Sequence, residues 1–517
     1  MPKGKTLQVV FKQDFQGQGM LIPLKLDEMV PADHPVRTVS AVLDQIDLKP
    51  ILRRYKAGGT SSYHPRVLLK AVVFAYMNNV YSSRKIEEAL SQNVMFMWLC
   101  GMSKPDHNTI NRFRGKRLEQ TLEPIFAQVV SLLCDEGLLS IKNLYTDGTK
   151  IEANANRYTF VWGKSIKTSR EKIRQQLKEV WDFSKTVTAS EINDDTDPSN
   201  FEKIDAEKVK QTIDAINTAV KQAELELPKK IKEKLAYGAK HWPGALDKYD
   251  AQEQIMGEGR GSYSKTDTDA TFMRMKDDHM GNGQLKPAYN LQISTNNQYI
   301  VNYSIHQRTT DTNTLIEHTE QHIQLYNEVP KSITADAGYG SEQNYQWLED
   351  KEIEGYVKHN QFDRMQHETT QDKYPFSADK LYYNEQGDYY VCPMGQHMEP
   401  ITPCTKTTAA GYLQHIKRYS AKNCGGCPLN GICHKSKGNR VIEINPNLNR
   451  LKAKAEALLK SPAGIEKRKQ RCHDVEPVFA NIKHNHGFKR FMLRGIHKIN
   501  VETGLLALAH NLRKKVA

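Results

Sequence analysis

With 517 residues the chain is too long for one core and predicts two or three domains. Hydrophobic content of 38% with 26% charged residues excludes a largely disordered protein, and even the apolar stretch from Val67 to Ala75, broken by Lys70, falls far short of the ~18 residues that span a membrane. A net charge of +13, from 73 Lys and Arg against 60 Asp and Glu, favours a polyanionic partner such as nucleic acid; the start Met1-Pro-Lys-Gly-Lys carries no apolar leader, which predicts a cytoplasmic protein with no membrane attachment.

Between Asp33 and Arg54 the positions Val36, Val39, Leu43 and Ile46 recur at helical spacing. Pro65 opens a second helix with Leu68, Ala71, Val72 and Ala75 as its buried stripe, and Ser82 or Ser83 caps a third. A fourth begins around Pro105, and a fifth carries Leu122, Ile125, Val129 and Leu132. Residues 1–137 therefore read as an all-α domain. Its short helices between Tyr81 and Arg117 have the pattern of a helix-turn-helix unit. There His107, Asn108, Asn111, Arg112, Arg114 and Lys116 would face phosphates and base edges, the plainer alternative being a solvated basic face.

Residues 138–517 read as an α/β domain with two insertions. Asn143-Leu-Tyr-Thr-Asp147 alternates as a strand does and ends on a carboxylate followed by Gly148; Asp is depleted in strands, so this is either an Asp-Gly turn or a functional acid. Residues 164–260 form an insertion, its Lys- and Glu-rich stretch to Lys234 reading as two helices around the polar loop Asn193–Asn200, and Gly257 to Gly283 is rich enough in Gly and Asp to be mobile. The runs Tyr289–Thr295 and Tyr299–Ile305 predict a hairpin, followed by a helix from Asp311 to Tyr326. Ser332-Ile-Thr-Ala-Asp336 is a second strand ending on an acid, and a helix (Ser341 to Asp350) and a strand (Gly355 to Lys358) follow. Two strand-terminal carboxylates suggest a shared site for a hard cation such as Mg²⁺.

The second insertion, residues 361–440, holds Cys392, Cys404, Cys424, Cys427 and Cys433. Cys424-Gly-Gly-Cys427 has zinc-knuckle spacing, with Cys433 and Cys392 as the other thiolates and Cys404, His397 or His434 as substitutes; four unrelated cysteines in a β-rich insertion is the alternative. Downstream, Glu476 and Lys483 lie seven residues apart, two turns on one helix face, and Pro477 suits a helix starting near Glu476. A last amphipathic helix, Val501 to Arg513, is expected to pack on the sheet.

Three segments carry a family resemblance: Thr146-Asp-Gly-Thr-Lys-Ile-Glu-Ala-Asn154, Ala335-Asp-Ala-Gly-Tyr-Gly340 and Glu476-Pro-Val-Phe-Ala-Asn-Ile-Lys-His-Asn-His-Gly-Phe488. They resemble the three acidic motifs of DDE transposases of bacterial insertion sequences. The resemblance implies a ribonuclease H-like catalytic domain in which Asp147, Asp336 and Glu476 bind two Mg²⁺ ions and Lys483 grips a phosphate. It also implies an N-terminal domain that recognises element ends through residues such as Arg112, Arg114 and Lys116. DNA, both element ends and target, would be the partner, and a homodimer the synaptic unit. Lys469 and Cys472 stand where the family often has Tyr and Arg, with Arg468 and Arg471 the neighbouring cations able to supply the charge. A nuclease without strand transfer and a DNA-binding protein with relic acids are the competing readings.

Overall fold

The computed structural model describes residues 25–55, 62–188, 194–224, 226–275, 281, 283–366 and 375–517. The chain start to residue 24 and Asn193 of the polar loop lie outside the described residues. Helices α1 (Pro35–Gln45), α2 (Lys49–Leu52), α3 (Pro65–Met77), α4 (Ser83–Gln92), α5 (Val94–Leu99), α6 (His107–Arg112) and α7 (Leu122–Asp135) come first. α1 and α3 each place Pro at the first helical position, where no N–H is missed, behind a His whose ring accepts the next free N–H. A five-residue π-helical turn, Phe113–Arg117, follows α6 directly.

Strand β1 (Asn143–Glu152) and the short β2 (Phe160–Trp162) lead into α8 (Gly163–Thr188), α9 (Ala206–Gln222) and α10 (Lys229–Met256). Among its described residues the insertion thus has three α-helices where two were expected. They close around their own core, including Leu177, Trp181, Ile213, Ile216, Trp242 and Leu246. Trp242 and Leu246, one turn apart on α10, supply the stripe that carries this helix beyond Lys234. The glycine-rich stretch expected to be mobile instead holds β3 (Ser262–Ser264) and β4 (Thr271–Arg274); residues 276–280 and 282 lie outside the described residues.

The hairpin β5 (Leu285–Asn296) and β6 (Tyr299–His306), helix α11 (Leu315–Tyr326), β7 (Ser332–Ala335), α12 (Glu342–Asp350) and β8 (Glu354–Val357) complete the main sheet. Its order is β4-β5-β1-β7-β8, with β6 also on β5; β1 runs antiparallel to β5 and parallel to β7. The first strand therefore lies beside the fourth long one, as expected of a ribonuclease H-like sheet.

After α13 (Phe362–Met365) comes a five-stranded antiparallel sheet of β9 (Tyr383–Asn384), β10 (Tyr389–Val391), β11 (His397–Thr407), β12 (Leu413–Ser420) and β13 (Val441–Ile444). Helices α14 (Pro446–Lys460), α15 (Pro462–Ala480) and α16 (Ile496–Val516) end the chain. α16 is not amphipathic in its surroundings: Val501 to Leu512 are all buried. It packs against α3 and α7 on one side and β6 on the other, so the N-terminal helices and the main sheet share one hydrophobic core. Its polar residues are accommodated individually. The Asn511 side chain accepts from Ile300 N and donates to Ile300 O, and the Glu502 carboxylate accepts from Met492 N and Leu493 N.

Candidate active site and thiol cluster

Parallel pairing of β1 with β7 matches Asn143 with Ser332, Leu144 with Ile333 and Tyr145 with Thr334. Asp147 lies two residues beyond the last of these pairs on β1, in mid-strand opposite Ile293 of β5, and Asp336 lies two residues beyond the same pair, just past the end of β7. Asp147 accepts from the adjacent Gly148 N at 2.8 Å, and its side chain is 13% exposed. Asp336 caps the 3₁₀ turn Ala337–Tyr339, accepting from Gly338 N at 2.8 Å.

A third aspartate, which the sequence reading passed over, stands beside Gly148. Asp311 accepts from Asn290 Nδ2 at 2.7 Å and Gln292 Nε2 at 2.9 Å, both on β5. Gly148 makes room for it: a Cβ there would lie 2.7 Å from Asp311 Oδ1 and 2.4 Å from Gln292 Nε2, closer than any side chain allows. Beneath the three acids Tyr339 is buried and donates its hydroxyl to Gln292 Oε1. Burial drives its pKa well above the usual phenol range, and Asp311, Asp147 and Asp336 push it further, so the three carboxylates act on one spot.

Glu476 stands apart from the trio. Its side chain is 54% exposed and meets Arg471 Nη1 at 3.4 Å, while Arg471 Nη2 reaches Asp147 Oδ2 at 3.0 Å. One guanidinium, itself mostly buried, thus spans the first and third acids. Among the described residues no three His, Cys, Asp or Glu side chains stand close enough together to hold a metal ion. The donor chemistry nonetheless fits one. Every candidate ligand is a carboxylate oxygen, as Mg²⁺ requires, and the site already holds a cation against Asp147 in the form of Arg471.

The helix carrying Glu476 corrects one expectation. It does not begin there: α15 starts at Pro462, capped by Ser461, and Pro477 lies in its interior. Proline cannot donate to the carbonyl one turn back, and Gln298 Nε2 donates to that carbonyl, His473 O, at 2.8 Å. Lys483 lies past the helix end in a π-helical turn, Asn481–Asn485. Beside the acids a cleft of about 530 Å³ opens between the turns after Asp311 and Asp336 and the tip of the β11–β12 hairpin, with Thr312, Ser341, Tyr412 and Lys452 among its lining.

In the N-terminal helices Arg112 and Lys116 are exposed, as are Asn108 and Asn111. Arg114 is not, which corrects its expected contact with DNA. It is 2% exposed and donates to Tyr76 Oη at 3.0 Å, Tyr81 O at 2.7 Å and Ser83 Oγ at 2.5 Å, pinning the π turn to α3 and α4.

Cys392, Cys424, Cys427, Cys433 and His434 line one cavity of about 20 Å³, room for a single ion or water. Three sulfurs already accept N–H donors: Cys392 from Gln396 N at 3.3 Å, Cys424 from Arg440 N at 3.3 Å, Cys433 from Arg440 Nη1 at 2.9 Å. His434 Nε2 is buried there without a hydrogen-bond partner among the described residues. The other two substitutes are elsewhere: Cys404 sits on β11 opposite Ile416, and His397 stacks on Tyr389 with ring centroids 3.9 Å apart. Four sulfurs and an orphaned imidazole nitrogen are the donor types that zinc takes, although among the described residues no three of them stand close enough to hold an ion.

Comparison with known proteins places both ends of the chain. Residues 391–516 match the family described as Transposase DDE domain, and residues 24–116 match Transposase domain (DUF772). Each end thus carries a transposase-family domain, DUF772 towards the N-terminus and the DDE domain towards the C-terminus. The first match takes in Glu476, the four cysteines and α16; the second takes in Arg112 and Lys116; Asp147 and Asp336 lie outside both. No curated protein and no solved structure matches the chain. Among its described residues no helix is long and apolar enough to cross a membrane.

Proposed function

We propose that the protein is a transposase that binds the terminal inverted repeats of its element, cuts at their ends, and joins the freed 3′-OH to target DNA as a homodimer in the cytoplasm. The observation that carries this reading is that Asp147 and Asp336 each lie two residues beyond the last β1–β7 pair, with Asp311 beside Gly148 and Glu476 reached through Arg471. Asp147, Asp336 and Glu476 would hold two Mg²⁺ ions, with Asp311 adding charge at the same place. Bound Mg²⁺ supplies Lewis-acid activation of the phosphodiester for in-line attack by water and then by the 3′-OH.

The chain's own groups do the rest. Asn290 and Gln292 fix the Asp311 carboxylate, and Gly148 keeps the space open. Arg471 neutralises Asp147 in the structure, and with a cation bound there its guanidinium would be free to meet a phosphate oxygen. Lys483 grips a phosphate of the strand being cut, and Arg112 and Lys116 contact the end duplex. Cys392, Cys424, Cys427 and Cys433, with His434 in reserve, would hold a structural Zn²⁺ that would tie the β12–β13 loop to the end of β10.

The test is Mg²⁺-dependent nicking of a duplex carrying the element's end by wild type, Asp147→Asn, Asp336→Asn and Glu476→Gln, with binding followed by gel shift and joining by a strand-transfer assay. Nicking should fall by at least about 10³-fold in each variant while binding persists. Cleavage without joining would make the protein a nuclease, and binding without any cleavage would make its acids relics.

A further inference from the structure

The exposed basic side of α6 and its π turn does not face open solvent alone. Across from it stands the segment that runs into the first turn of α16, and between the two lies a groove of about 710 Å³. Arg112, Lys116 and Asn111 line one wall; Arg494, Lys498 and Asn154, the last just beyond the end of β1, line the other. The walls approach closely at Gly115, where a Cβ would lie 3.7 Å from Lys498 Cε. Arg494 is set in place by its Nε, which donates to Asn154 O at 2.7 Å.

The groove is electrostatically one-sided. Four cations line it, and none of them forms an ion pair among the described residues, although ion pairs are common elsewhere on this surface. The acid on its rim, Asp106, is engaged as the cap of α6, accepting from Thr109 N at 3.0 Å. No aromatic side chain lines it. Sites for single strands use aromatic platforms for unstacked bases, whereas a groove with only cations and amides suits the phosphates of a duplex.

We infer that this groove, built jointly by α6 with its π turn and by the segment that runs into the first turn of α16, is a binding site for the phosphate backbone of duplex DNA. The inference rests on the transposase reading for the choice of DNA as the polyanion. It also sets a distance. Asp147 and Asn154 belong to one nearly extended segment, and seven residues of strand span at most about 23 Å. At 3.4 Å per base pair the groove therefore contacts phosphates within about seven base pairs of the cut.

The experiment uses the full chain and a duplex carrying the element's terminal repeat with its flank. Binding is measured against salt for Arg494→Gln/Lys498→Gln, for Arg112→Gln/Lys116→Gln, and for a control that removes equal charge from the thiol-cluster loop, Lys435→Gln/Lys437→Gln. Each groove variant should lose at least about tenfold in affinity near 0.1 M salt and flatten the slope of log K against log salt by about two, with the control near wild type. Thermal melting checks that each variant is folded. Phosphate-ethylation interference should map within about seven base pairs of the nick. Equal affinity and slope for Arg494→Gln/Lys498→Gln and the control would overturn the joint groove, as would interference only farther out. Loss of binding in the groove variants alongside a wild type that never nicks would sink the catalytic reading and leave the groove standing.

Discussion

Arg471 Nη2 lies 3.0 Å from Asp147 Oδ2, and both side chains are 13% exposed. A guanidinium therefore neutralises a mostly buried carboxylate at the place where the catalytic reading puts a metal. Removing it strips that carboxylate of its guanidinium partner, which costs about 1–3 kcal/mol. Arg471→Ala should lower the Tm measured in EDTA, and Mg²⁺ should restore more stability to the variant than to wild type, because a ligand that binds only the folded state stabilises it. An identical Mg²⁺ response in the two proteins would separate Arg471 from the metal site.

Asp311 yields a sharper test, because its position depends on a glycine. Asp311→Asn keeps the shape and removes the charge; nicking should fall by about 10²-fold, with end binding unchanged. Gly148→Ala should fall at least as far, since its methyl would collide with both Asp311 and Gln292. Wild-type nicking rates in Asp311→Asn would restrict the essential acids to Asp147, Asp336 and Glu476.

What could be read from the sequence was local. The strand that ends just before Asp336 and the hairpin of β5 and β6 follow from period-2 alternation and turn residues a few positions away, and the structure has them; the strand expected to end at Asp147 instead runs on to Glu152, because Gly148 to Glu152 pair with Gln292 to Ala288 of β5. Asp311 lies in a loop with no periodicity, and what recruits it is Asn290 and Gln292, two residues apart on β5. Two buried amides on one strand face were the available signal. Arg114 looked exposed on a regular helix, but the π turn from Phe113 changes the phase and turns it inward. α16 looked amphipathic because Glu502, Thr503, His510 and Asn511 are polar; burial of such groups depends on partners distant in sequence.

The shared core makes α16 a stability determinant for both parts it joins. A chain ending at residue 495 would lose the helix that α3, α7 and β6 pack against. Such a chain should show no cooperative melting of the N-terminal helices, as read by proteolysis or hydrogen exchange. A protected, cooperatively folded segment 25–137 in that truncated protein would show that the helices fold without it.

The thiol cluster should be a structural metal site. Freshly purified protein should carry about one zinc per chain, and Cys424→Ser or Cys433→Ser should lose it and expose the β9–β13 sheet to protease, because a closed site contributes its binding energy to folding. Metal analysis finding no zinc in the wild type would reject the site. His434→Ala tests the reserve ligand: zinc retained in that variant alone identifies the four-thiolate set.

Stability should fall as the solution is acidified, and one histidine of α16 gives the reason. His510 is buried, and its Nε2 lies 2.8 Å from Gln298 O. Burial lowers its pKa to about 4, opposed by the hydrogen bond to the Gln298 carbonyl and aided by the lesser effects of His486, Lys514 and Arg513 nearby. Unfolded, the imidazole titrates near ~6.5. Above that value it is neutral in both states and its full contribution to stability is present. Between pH ~6.5 and about 4 the unfolded chain takes up a proton that the folded chain refuses, so stability is lost as pH falls, by about 3 kcal/mol across the window for this one residue. His510→Gln can still donate to the Gln298 carbonyl but does not titrate. Its Tm should therefore decline less than wild type between pH 7.5 and 5, while the two converge in slope above pH 7. Parallel curves over the whole range would mean that other groups, such as the buried His322 with its pKa also near 4, carry the acid sensitivity.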